Sequence, residues 1–229
     1  MVYAEQIAAS CPAGSKVASL VTSDESGSSV GATAGPARQR VIRQVAERTA
    51  ICGGHLRVAL FAGSMIGVTV FDDDLRLDGA TQNARLRKAS KVVDAVMEEV
   101  DAALPDASAH LAGGATDIVG QYQLGAEYAA QLSTSAPVTL EQTIVTDGIQ
   151  TAGSDLEDTA LTGPQAVDMA ALFAVPDLTG ATVRLIGIGR RADDAPLPTP
   201  YIAALRAFHT AVCERTQATC TVVTDPAGA

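Results

Sequence analysis

The sequence predicts a doubly wound, mostly parallel six-stranded α/β sheet with one antiparallel edge strand and helices on both faces. Three observations predict it. Segments of strand character alternate with amphipathic helical segments, as in successive βαβ units. The link between the second and third strands is too short for a parallel crossover, so those two strands must form a hairpin. The length of 229 residues and a hydrophobic content of 47% suit one domain with a sizeable core. The whole chain, 1–229, reads as that domain, with short tails outside a core spanning 16–225.

The elements follow in order. Lys16 to Ser23 (KVASLVTS) reads as the first strand, and 37–52 as a helix with Val41, Ile42, Val45 and Ala46 along one face. His55 to Ala62 is the second strand. Gly67 to Phe71 is the third, and Asp72-Asp73-Asp74 after it suits an edge that must not pair further. Ala84 to Leu104 repeats apolar residues at three- and four-residue steps, with Pro105 expected to close the helix. Asp117 to Leu132 is the next helix, with Asp117 as its cap. Val138 to Thr146 is a strand, 151–162 a loop, and Gln165 to Phe173 a helix behind Pro164. Thr182 to Ile188, Tyr201 to Thr216 and Cys220 to Thr224 supply a strand, a helix and a last strand.

Bulk properties exclude some functions. The net charge is -10 without a basic run, which argues against nucleic-acid binding, because that rests on Lys and Arg neutralising phosphates. No apolar stretch is long enough to span a bilayer. Met1 to Ser10 lacks the basic start and apolar core of a complete signal peptide, which leaves open whether Met1 is the native start.

Five oxygen-bearing residues in three separate places carry the functional signal. Asp24, Ser26 and Ser28 follow the first strand, Thr116 stands in Gly113-Gly114-Ala115-Thr116-Asp117, and Asp147 follows the strand that ends at Thr146. In open parallel sheets, ligands bind beyond the carboxyl ends of the strands, where the strand order reverses. With strands two and three on one side of strand one and the 138–146 strand on the other, both aspartates stand at that reversal. Two carboxylates and three hydroxyls make a hard-oxygen set suited to Mg²⁺, or to Mn²⁺ or Ca²⁺.

On these motifs the chain resembles the von Willebrand factor A (vWA) family, also called the integrin I type. That family has a Rossmann-like fold and a metal-ion-dependent adhesion site. Its pattern is Asp-x-Ser-x-Ser, then a mid-chain Thr, then Asp, often as Thr-Asp-Gly. Asp24, Ser26, Ser28, Thr116 and Asp147 match it in order. The resemblance implies that the Ser26, Ser28 and Thr116 hydroxyls approach a metal ion. It implies that Asp24 and Asp147 act through water or supporting hydrogen bonds, and that an acidic residue of a protein partner completes the shell. Strand one ends in a more polar pair, Thr22-Ser23, than is usual there. Thr81 is a second candidate for the threonine.

Other motifs weigh less. Gly27-Ser28-Ser29-Val30-Gly31 fits G-x-S-x-G, which would make Ser29 a nucleophile and His209 its base. The motif comes very early, however, and His209 falls inside a predicted helix. Asp72-Asp73-Asp74 is weakly similar to the Asp-x-Asp of haloacid-dehalogenase-type phosphatases but lacks the residues that follow it. His55, His110 and His209 have no ligand spacing. Arg190, Arg191, Asp193 and Asp194 read as a solvated loop, and Glu98, Glu99 and Asp101 as the wet face of a helix.

Cys11, Cys52, Cys213 and Cys220 contain no CxxC pair, which argues against zinc. In a parallel sheet all four fall at the amino ends of strands, opposite the proposed crevice. The expected disulfides are Cys11–Cys52 and Cys213–Cys220, with buried free thiols as the alternative. Bridges would place the protein in an oxidising compartment, extracellular or at the cell surface. The expected function is therefore a non-enzymatic, metal-dependent adhesion module. The alternatives are a cytoplasmic vWA accessory subunit of an ATPase machine and a serine hydrolase using Ser29.

Overall fold

A computed structural model describes residues 2–29, 34–63, 67–111, 113–191 and 196–225. Six strands form one sheet: β1 (Lys16–Asp24), β2 (Gly54–Phe61), β3 (Val68–Leu75), β4 (Val138–Val145), β5 (Thr182–Ile186) and β6 (Thr219–Val223). Their order is β3-β2-β1-β4-β5-β6. Only β3 runs antiparallel, against β2. This is the expected doubly wound, Rossmann-like sheet. β1 lies at its centre and is buried from Val17 to Asp24, as a strand covered on both faces must be.

Seven helices lie around the sheet among the described residues: α1 (Val2–Ala9), α2 (Ala34–Cys52), α3 (Gln82–Leu86), α4 (Ala89–Ala109), α5 (Gly120–Ser133), α6 (Gly163–Ala170) and α7 (Thr199–Arg215). Helices α2 and α4 bury Ile42, Val45, Val93, Val96 and Val100 with Val21, Val58 and Leu60. On the opposite face, α5, α6 and α7 bury Tyr122, Ala166, Leu205 and Phe208 with Leu20, Ile144 and Leu185. Strand alternation sends odd and even residues of β1 and β4 to these two cores.

Several boundaries differ from the sequence-based expectation for physical reasons. Pro105 does not close α4, which runs on to Ala109. The one bond a proline removes is offset by packing of the buried Ala107. Residues 82–109 form two helices rather than one, and Thr81 caps the first by accepting from Ala84 N at 3.2 Å. Strand β3 continues through Asp72-Asp73-Asp74, where Asp72 pairs with Arg57 across the hairpin. Helix α5 starts at Gly120 with Val119, not Asp117, at its N-cap, while the Asp117 carboxyl accepts from Gly120 N at 2.8 Å in the turn before it. Helix α1 carries too few residues to hold itself in water. It is held instead by burying Ala4 and Ile7 and by the Cys11–Cys52 bridge behind it.

Both expected disulfides are present, and no cysteine is free. Cys11–Cys52 ties the approach to β1 to the end of α2. Cys213–Cys220 ties α7 to β6. Both lie at the amino end of the sheet. No helix of the described residues is long and apolar enough to cross a membrane.

Candidate metal site

The sheet order reverses between β1 and β4, so the loops leaving these two strands diverge and open a crevice. Ser23 of β1 is in register with Val145 of β4, which sets Asp24 beside Thr146 and brings Asp147 to the same mouth. The two aspartates are 1% and 2% exposed, a burial that ionised carboxylates tolerate only with partners.

Asp24 has such partners. Its Oδ1 accepts from Ser26 N at 2.8 Å. Its Oδ2 accepts from the Ser29 hydroxyl at 3.0 Å and the Thr146 hydroxyl at 2.8 Å. The Ser29 oxygen in turn accepts from Asp147 N at 3.4 Å, so one serine ties the two aspartate loops together. The Ser26 and Ser28 hydroxyls lie 3.3 Å apart. Burial raises the Asp24 pKa, and the bonds from Ser26, Thr146 and Ser29 oppose the rise.

Asp147 is less well served. Its Oδ1 accepts from Ile149 N at 2.9 Å, but its buried Oδ2 makes no well-formed hydrogen bond among the described residues, with the Ser28 and Ser29 hydroxyls close to the carboxyl. Burial first, and the charge of Asp24 second, push its carboxyl up to about 6; the Ile149 amide, Ser28 and Ser29 pull the other way. An ionised oxygen buried without a donor carries most of its desolvation cost uncompensated. Gly148 follows with φ +85°, a left-handed conformation that favours glycine, and a Cβ there would also press on the Ile188 side chain.

The threonine loop reaches the same mouth from another direction. Gly63, just past β2, abuts the backbone of Gly113 and Gly114 so closely that a Cβ on it would sit 2.6 Å from Gly113. At the other end, Thr116 O accepts from Thr151 N and Ala152 N, and Thr116 N donates to the Thr151 hydroxyl at 2.7 Å. Residues 113–116 are thus pinned from β2 on one side of β1 to the loop after β4 on the other. Thr116 is 5% exposed. Among the described residues, no hydrogen bond joins its hydroxyl to Asp24, Ser26, Ser28 or Asp147. Thr81 is spent as the cap of α3.

Sequence reasoning missed Thr146 and Gln150, which help hold this arrangement, and read Ser29 only as a candidate nucleophile. Ser29 and Thr146 support Asp24, and Thr146 Oγ1 also accepts from Gly148 N at 3.1 Å. Gln150, fully buried, accepts from Ile118 N and Val119 N and donates to Ala152 O, which locks the threonine loop to the aspartate loop. Arg38 pairs with Glu25 beside the crevice, and burial raises the Glu25 pKa, partly offset by that arginine. The available signal was polar residues at strand ends, where chain direction changes and backbone groups need partners.

The Ser29–His209 pairing does not form as a hydrolase would need. The Ser29 hydroxyl donates to Asp24, while His209 Nε2 bonds Gly148 O at 2.8 Å from within α7. Burial lowers the His209 pKa to about 4, with the Gly148 bond opposing. Among the described residues, no group of three His, Cys, Asp or Glu side chains is placed to hold a metal ion. The crevice offers two carboxylates with hydroxyls instead.

No family model matches the sequence, and no curated protein matches it. Solved structures do. The ArnB paralog VWA2 from Sulfolobus acidocaldarius is 12% identical with a TM-score of 0.47; the match covers 93% of this chain and 42% of that one, so this chain spans less than half its length. BatB from Bacteroides thetaiotaomicron is 12% identical with a TM-score of 0.44, covering 93% and 92% of the two chains. An aerotolerance-related membrane protein from Bacteroides fragilis is 11% identical with a TM-score of 0.41, covering 90% and 91%.

Proposed function

We propose that the chain is a vWA-type binding module whose β1/β4 crevice takes a divalent cation, with Mg²⁺ as first choice and Mn²⁺ or Ca²⁺ as alternatives, and captures an acidic residue of a protein partner. The observation that carries this reading is the buried Oδ2 of Asp147, without a well-formed hydrogen bond among the described residues, beside a second buried carboxylate and the Ser26 and Ser28 hydroxyls. That donor set suits a hard cation, which binds oxygen and retains exchangeable positions. When bound, the cation supplies an electrophilic centre for a partner's Asp or Glu.

The chain's own residues have separate tasks in this account. Ser26, Ser28 and Thr116 offer neutral oxygens. Asp24, its oxygens largely occupied by Ser26, Ser29 and Thr146, supplies charge and holds the loop rather than a free lone pair. Asp147 supplies the remaining charge and an open oxygen. The net charge of -10 repels acidic partners at distance, so attraction must be local. The module works without catalysis, and the two disulfides favour an oxidising, extracellular or cell-surface setting.

Magnesium at 100 times its dissociation constant should stabilise the chain by about 2.7 kcal/mol, a rise of roughly 5–10 °C in the thermal midpoint for a domain this size. Asp24→Ala should abolish the rise. Because Asp24 also holds its loop, Ser28→Ala serves as the milder variant and should weaken the response without unfolding the chain. An undiminished magnesium response in both variants would refute the site.

A further inference from the structure

The sheet face that carries α2 is aliphatic over β2, where Leu56, Val58 and Leu60 are buried, but polar over β4 and β5. Thr143 of β4 and Arg184 of β5 are register partners on that face, with Glu141 one alternation away. A recess of about 140 Å³ opens over them, walled by Tyr3 and Ile7 of α1 and Gln44 and Arg48 of α2.

The hydrogen bonding in this recess is incomplete. Glu141 is fully engaged by Arg48, which donates from Nε and Nη2 at 2.6 Å each. Arg48 also donates to the Ser10 hydroxyl. The Arg184 side chain, by contrast, makes no hydrogen bond or ion pair among the described residues, and its buried Nε–H has no acceptor among them. Thr143 is fully buried, and its hydroxyl has no partner among the described residues either. Among the described residues, two neighbouring donors thus lack an acceptor, and a buried donor left unpaired costs free energy that a matching acceptor would recover. Two arginines against one glutamate leave a local positive charge in a chain whose net charge is -10. Burial lowers the Arg184 pKa, with Glu141 opposing and Arg48 adding to the fall.

A ligand that only accepts hydrogen bonds and carries negative charge would complete this arrangement. We propose that the β4–β5 recess is a binding site for a small oxyanion, a carboxylate or a tetrahedral anion, held by Arg184 Nε and the Thr143 hydroxyl. The site is independent of the crevice reading. It lies on the α1/α2 face, behind the helix that the Cys11–Cys52 bridge secures.

The test titrates sodium sulfate, sodium acetate and sodium chloride into the full chain at constant ionic strength. It follows the thermal midpoint and the arginine Nε–Hε resonances. Sulfate or acetate should raise the midpoint saturably above chloride and move the Arg184 resonance, and the better of the two identifies the anion shape. Thr143→Val should weaken binding about tenfold, the worth of one hydrogen bond to a charged group. Arg184→Lys, which keeps the charge but removes Nε, should abolish the saturable response. No response beyond chloride, or an equal response in Thr143→Val or Arg184→Lys, would overturn the proposal. If Arg184→Lys fails to fold, an Arg184 resonance unmoved by either anion in the unaltered chain overturns it equally.

Discussion

The two ends of the sheet are built on opposite principles. At the amino end, two disulfides tie helices to strands, and no cysteine is left free. At the carboxyl end, two buried carboxylates share one crevice, and one of their oxygens lacks a well-formed hydrogen bond among the described residues. The first end stores stability, and the second gives some of it up to keep charged oxygens out of water. The contrast suggests that the covalent ties compensate for an end kept electrostatically frustrated so that it can bind.

Breaking the amino end should give the largest effect. Cys11–Cys52 closes a 41-residue separation, and loop-closure entropy assigns it about 4 kcal/mol. Cys11→Ser with Cys52→Ser should lower stability by that order in a denaturant titration, while a magnesium response, measured below the new midpoint, survives. Cys213–Cys220 spans only 7 residues, and the same reasoning gives about 2.5 kcal/mol. A bridge whose loss also erased the magnesium response would mean the two ends are coupled.

A smaller effect should come from relieving the carboxyl end. Asp147 titrates at about 6 in the folded chain against an ordinary 3.8. Between those values the folded chain holds a proton that the unfolded chain has lost, so this group makes stability fall as pH rises through the window. His209 runs the other way. Its folded value of about 4 lies below the ordinary 6.5, the unfolded chain takes up the proton first, and stability rises with pH through that window. Asp147→Asn removes only the falling slope. Its stability should therefore climb more steeply than the unaltered chain's between pH 4 and 6, and exceed it at pH 7 without magnesium. Parallel profiles would show that Asp147 is not strained.

The smallest effect separates the two candidate threonines. Thr81→Ala should cost about 0.5–1 kcal/mol through loss of the α3 cap and leave the magnesium response intact. Thr116→Ala should weaken that response. The reverse result would return Thr81 to the site.

The sheet order was legible because two signals agree: helices between parallel strands, and one link too short to be anything but a hairpin. Asp24 and Asp147 were legible because each follows a strand on one side of the reversal. The cysteines were legible because their positions relative to the strands place them at one end. Other features were not. Pro105 reads locally as a stop, and only tertiary burial of Ala107 shows why α4 continues. Helix α1 is stabilised by partners distant in sequence. Ser29, Thr146 and Gln150 are polar residues in turns, a common pattern, and only the folded chain reveals which backbone groups they satisfy. Thr116 was read from a motif; its loop reaches the crevice, but its hydroxyl makes no bond to the other four residues.

Electron paramagnetic resonance of Mn²⁺ titrated into the unreduced chain tests the central claim most directly. The account predicts one tightly held Mn²⁺ per chain, displaced by excess Mg²⁺ and lost when Ser26 and Ser28 are both changed to alanine in a variant that stays folded. Free Mn²⁺ throughout the titration, or undiminished binding in that variant, would contradict it.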